Sequence, residues 1–126
     1  MDLLNFIEDA GVLTDVRAWT EDGNVYALTL KFAQQSLHLF VEQDTDELVV
    51  STSLVLNQQC TQTLAALQDV YGYLLIRTWL MHNHKGYQDA LQLEFYHPDK
   101  SQTHSIQIYV KASSLTLFRL QQIDVS

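Results

Sequence analysis

The sequence predicts an α+β fold made of two pseudo-repeats, each a short helix followed by a four-stranded antiparallel meander. Three observations predict it. The chain matches itself: Val16-Arg17-Ala18-Trp19 recurs as Ile76-Arg77-Thr78-Trp79, Gly23–Phe32 as Gly86–Phe95, and Leu37–Glu42 as Ile106–Lys111. Apolar residues alternate with period two along the matched stretches, the mark of half-buried strands. A segment with helical apolar spacing precedes each set of strands, and helices set apart from sequential strands define the α+β class. Self-similarity outranks single motifs because it fixes architecture before local propensity does.

The first element is a helix, in which Leu3, Phe6, Ile7 and Ala10 follow the i, i+3, i+4, i+7 rule. Asp2 is placed to cap it and Gly11 to end it. Strands follow near Val16–Thr20, Val25–Phe32, Leu37–Glu42 and Leu48–Ser51. Asp22-Gly23 has the chemistry of a tight hairpin turn, so the first two strands pair antiparallel. Thr52–Gln62 is polar and almost uncharged, a connection between the copies. The second helix has Leu64, Leu67 and Tyr71 on one face, Thr61 or Thr63 as cap, and Gly72 as terminator. Leu4, Ile7 and Asp9 stand sixty positions before Leu64, Leu67 and Asp69, the offset that also links Trp19 to Trp79. The second set of strands falls near Tyr73–His82, Asp89–His97, His104–Lys111 and Leu115–Leu120, with turns at Asn83–Gly86 and Pro98–Gln102. One such unit is a thin sheet that hides its apolar face poorly. Two of them, repeat one over about 2–52 and repeat two over about 61–120, make a single domain spanning 1–126. Either one curved sheet or two packed antiparallel sheets satisfies the pattern.

Composition narrows the function. Hydrophobic content of 47% and charged content of 17% belong to a folded globular chain. A net charge of −8, with seven Lys and Arg spread thinly, argues against nucleic acid and against anionic membranes. The same charge suits a basic protein partner, although its commoner role is solubility. No apolar run reaches the ~20 residues of a membrane helix, and the acidic start is unlike a secretory signal, so the expected location is cytoplasmic. The lone cysteine, Cys60, makes no internal disulfide.

The copies differ most between their first two strands. Where the first has Glu21-Asp22-Gly23, the second has Leu80-Met81-His82-Asn83-His84-Lys85-Gly86, three residues longer between tryptophan and glycine. A polar elaboration on one copy of a duplicated scaffold is where function is sought. The candidate binding residues are Arg77, Trp79, Asn83, Tyr87 and Asp89. His82 and His84 are weak candidates for metal ligation. A His-x-His pair falls short of the three or four convergent ligands that zinc requires, and His97 and His104 belong to the far end of the hairpin. No metal or other cofactor is expected. The acidic turn Glu42–Glu47 lacks the glycine and distal glutamate of a calcium loop and reads as a solvated turn. No nucleophile elbow, phosphate loop or activated cysteine is present, so no catalytic residue is nominated. Arg17 and Arg77 recur beside Trp19 and Trp79, which favours a scaffold role, with the tryptophans as core anchors.

The pattern Trp79-x-x-x-Asn83-x-x-Gly86-Tyr87-x-Asp89-Ala90-Leu91-Gln92-Leu93-Glu94-Phe95 resembles a motif from a family of short uncharacterised bacterial domains. That resemblance implies a small bacterial, cytoplasmic α+β domain and brings no activity with it. The residues therefore point to a small, acidic, non-enzymatic protein-interaction or binding module, its partner another protein or a second copy of the chain. The alternative is a small-ligand binder, or a modest enzyme, with a cleft between the two repeats.

Overall fold

The computed structural model describes residues 3–53 and 62–120. Helix α1, Leu3–Ala10, turns Leu3, Phe6 and Ala10 into the core and stops at Gly11, whose φ of +81° is the left-handed conformation expected of a helix-ending glycine. A Cβ there would also come within 3.1 Å of the Ala33 methyl. The strands of the first half are β1 (Leu13–Glu21), β2 (Asn24–Phe32), β3 (Ser36–Glu42) and β4 (Glu47–Ser51). Asp22 and Gly23 both have positive φ, as a two-residue hairpin requires. A two-residue strand, β5 (Gln62–Thr63), adds to the free side of β1, giving the order β4-β3-β2-β1-β5. Strands β6 (Leu74–His82), β7 (Gln88–His97), β8 (Gln102–Lys111) and β9 (Ser114–Leu120) form a second meander in sequential order.

The two sheets pack on one another, which settles the choice left open by the sequence against a single curved sheet. Leu28, Leu30 and Phe32 of β2 and Leu37 and Leu39 of β3 share one buried cluster with Leu91, Leu93 and Phe95 of β7 and Ile106 and Ile108 of β8. Phe32 joins three layers: its ring meets Phe6 of α1 edge-on at 5.3 Å and stacks on Phe95 of the opposite sheet at 6.4 Å. At the corner where the halves meet, Val12 bridges Leu74, and the Leu13 and Gly72 amides donate to the Tyr73 and Leu13 carbonyls.

Two expectations need correction. The second helix is not an α-helix but a 3-10 helix, Ala65–Val70, with no side-chain cap on Leu64. Its apolar residues Leu64, Leu67 and Val70 recur every third position, which matches three residues per turn and not 3.6. Asp2, Thr61 and Cys60 lie outside the described residues, and Thr63 belongs to β5. With 13% of residues helical, the fold is mostly β and only marginally α+β. The two similar halves stand nonetheless: both are short helices leading into four-stranded meanders.

The second correction concerns tryptophan. Trp19 is 8% exposed, a core anchor as expected, but Trp79 is 40% exposed. The longer second hairpin moves its pairing: Trp19 faces Ala27, whereas Trp79 faces Gln92, and the matching Ala90 faces Met81. Both tryptophans point to the face of their sheet turned away from the other sheet; Trp19 is buried there, and Trp79 meets solvent.

Candidate functional site

The elaborated tip between β6 and β7 is built around Asn83. Its Oδ1 accepts from the Lys85 and Tyr87 amides at 2.9 and 3.1 Å, its own amide donates to the Tyr87 carbonyl, and its carbonyl accepts from Gly86. These are the bonds by which asparagine holds a turn, so its side-chain oxygen is already committed to the backbone. Tyr87 stands exposed beside it, and His82 and His84 are exposed at the strand end and in the turn. Among the described residues no three His, Cys, Asp or Glu side chains gather to hold a metal ion.

The five candidate binding residues do not converge. Arg77 lies opposite Glu94 in the β6–β7 register, five positions along β7 from Asp89, or about 16 Å at the rise of a strand. Arg77 and Trp79 do share a place. With Ile76 and Thr78 they form one wall of a groove of about 290 Å³ whose other wall is Leu4 and Ile7 of α1. Asn83, Tyr87 and Asp89 cluster separately at the tip.

Register and alternation define a wider surface that sequence reasoning did not single out. Because Leu91, Leu93, Phe95, Ile106 and Ile108 point into the sandwich, the intervening residues form the outer face. One row across it runs Trp79, Gln92, Gln107, Phe118, and a second runs Met81, Ala90, Tyr109, Thr116. Phe118 is 48% exposed and stacks on Tyr109 at 5.2 Å, and Leu120 beside it is 39% exposed. Gln107 reaches the Met81 sulfur at 3.8 Å. The first sheet's outer face differs: Trp19, Ala27 and Thr29 are all buried there. Thr29 Oγ1 lies 2.9 Å from His38 Nδ1, and burial lowers the His38 pKa below its ordinary value. The signal for the exposed face was present in Leu115–Leu120, where Phe118 and Leu120 alternate with Leu117 and Arg119, but only the register reveals which set faces outward.

Polar links between the halves also escaped the sequence. The Tyr71 hydroxyl accepts from the Val16 amide at 3.0 Å and donates to Asp15 Oδ1 at 3.2 Å. Asp15 also takes Arg17 Nε at 2.9 Å, and this bond leads the causes that lower its carboxyl pKa. The acidic turn is a clip as well as a solvated loop, since Asp46 Oδ1 accepts from both the amide and the hydroxyl of Ser113. Within the second half, Arg119 makes a fork to both Asp69 oxygens at 2.7 and 2.6 Å, which holds the Asp69 pKa down. Between the halves lies a cleft of about 310 Å³ lined by Leu3, Leu48, Val50, Leu80, Glu47 and Gln88 among others. Two of its polar groups are committed: Gln88 donates its amide to Glu47 and its side chain to the Leu48 carbonyl.

No helix among the described residues is long and apolar enough to cross a membrane. No curated protein and no solved structure matches this chain. A family model does, over residues 5–124, nearly the whole length, so the chain belongs to DUF6334, a family of unknown function.

Proposed function

We propose that this protein is a non-enzymatic interaction module that binds another protein through the outer face of its second sheet. The observation that carries the reading is the contrast between matched tryptophans, Trp19 buried and Trp79 open to water on the face that also exposes Phe118 and Leu120. Aromatic residues, Met and Arg are what the cores of protein interfaces are enriched in, and Trp79, Phe118, Met81 and Arg77 supply them on one face. A contiguous apolar face rimmed by polar residues marks an interaction site on a folded protein. The exposed Leu4 of α1 extends it past the β6 edge.

The test is comparative capture. Proteins retained from a lysate of the source cell by the native chain should be lost with Trp79→Ala/Phe118→Ala and kept with Tyr26→Ala, a substitution on the other sheet. Retention of the same set by all three overturns the reading. A small-ligand binder using the cleft between the halves is the second reading. The commitment of Glu47 and Gln88 to bonds within the protein makes it the weaker one.

A further inference from the structure

Among the described residues, strand β9 is an edge strand of the second sheet, and β8 is its one ladder partner. Among the described residues no backbone hydrogen bond reaches its far side. An open edge is a template for another strand, and proteins blunt such edges with lysines, prolines, bulges or covering elements. The other sheet ends carry such devices. Beside β6 lies α1, Ile76 interrupts its register, and Val12 bridges its first residue. The edge strand β4 is only five residues long, starts at Glu47, and has its Leu48 carbonyl occupied by the Gln88 side chain. Strand β5 is two residues long. By contrast, β9 spans seven residues, Ser-Leu-Thr-Leu-Phe-Arg-Leu, with no proline or lysine and an unbroken register to β8. Its single charge, Arg119, is neutralised by Asp69.

We propose that the chain forms a two-fold homodimer by antiparallel pairing of β9 with β9 of a second copy. A bare strand edge is complementary to itself under a two-fold axis, because each copy presents the same alternation of N–H and C=O groups. Charge selects the antiparallel direction. The acidic turn Glu42–Glu47 is held at the Ser114 end of β9 by the Asp46–Ser113 clip, while Arg119 stands at the other end. Antiparallel pairing sends the two acidic turns to opposite ends of the seam. Parallel pairing would set the acidic turns side by side, which the net charge of −8 opposes. The dimer joins two four-stranded sheets into one of eight strands and makes the outer aromatic rows continuous through Phe118. It does not depend on the interaction reading above, since the seam is backbone.

The experiment is sedimentation velocity of the full chain over a dilution series, with hydrogen–deuterium exchange at the same concentrations. A reversible monomer–dimer equilibrium is expected, with β9 amides gaining protection as concentration rises and β4 and β6 amides unchanged. Thr116→Lys/Phe118→Lys gives the edge the lysines it lacks and crowds like charges along the seam. It should weaken dimerisation about a hundredfold. A monomer at every concentration overturns the proposal, as does a dimer whose protection falls outside β9 or whose affinity the lysines leave unchanged. Should the double variant fail to fold, the exchange pattern of the native chain decides alone.

Discussion

Replacing Phe32 by alanine tests whether the two halves are held together as described. The Phe32 ring is buried between Phe6 of α1 and Phe95 of the second sheet, at 5.3 and 6.4 Å, so it contributes to three layers at once. Truncating a core phenylalanine to alanine costs about 3–5 kcal/mol, the transfer energy plus the cavity left behind. Each aromatic pair supplies about 0.5–1.5 kcal/mol of that beyond area burial. Neighbours that are themselves fixed, Leu30 in the same strand and Leu93 and Phe95 across the sandwich, limit collapse into the space, which places the cost near the upper half, about 4 kcal/mol. A chain of this size has a net stability of about 5–15 kcal/mol, so the variant should fold but lose a large share of it. Urea unfolding followed by far-UV circular dichroism should show a midpoint lowered by about 2–3 M at unchanged slope. Phe118→Ala, on the exposed face, should shift it far less. A Phe32→Ala loss under about 1 kcal/mol, the size of a surface substitution, would refute the shared core.

Four further outcomes follow from the structure. Trp19→Phe should leave a red-shifted emission readily quenched by iodide, and Trp79→Phe a blue-shifted, protected one; identical quenching of both would contradict the exposure contrast. Tyr71→Phe removes the hydroxyl that the Val16 amide and Asp15 share, and should cost about 1–3 kcal/mol in urea unfolding because the amide is left without that partner. Ala112 and Ser113 both hold positive φ in the two-residue β8–β9 turn, where alanine is disfavoured by ~1 kcal/mol. Ala112→Asn should therefore raise the melting temperature, while Ala112→Val should lower it. Lowering the pH should destabilise the fold in two steps, read as the urea midpoint against pH. Burial depresses the His38 pKa below 6.5, so its unfolded form gains a proton first and stability falls as pH drops through that value. Asp15 and Asp69, depressed by Arg17 and Arg119, add stability that is present above the ordinary 3.8 and is lost as pH falls through their lower folded values. His38→Gln should remove the first step alone.

Element boundaries were legible because the forces that set them are local. The alternation in Val25–Phe32 and Asp89–His97, and the turn chemistry of Asp22-Gly23 and Asn83–Gly86, depend on residues within a few positions, and the observed strands begin and end within about three residues of those readings. The second helix was legible as a short helix but not as a 3-10 helix, because a three-residue apolar period and a 3.6-residue one differ little over six residues. Face and partner were not legible. Nothing local distinguishes Trp79 from Trp19; both stand on the outward face of their sheet, one buried and the other exposed. Likewise Asp46 meets Ser113 across 67 positions and Tyr71 meets Asp15 across 56, distances at which spacing carries no signal.

The hairpin tip was the sequence's best candidate for a site because it is where the copies diverge, and its chemistry explains that divergence differently. Asn83 and Gly86 are spent on closing a five-residue turn, and the elongated turn accompanies the slide of β6 against β7 that sets Trp79 opposite Gln92. Copy one keeps its tryptophan buried; copy two sets its own on an open face, where Gln92 and Gln107 separate it from Phe118 of the edge strand β9. The exposed side chains Trp79 and Phe118 lie on the same sheet as the edge strand β9. That places the proposed interaction face and the proposed dimer seam on the same half of the molecule.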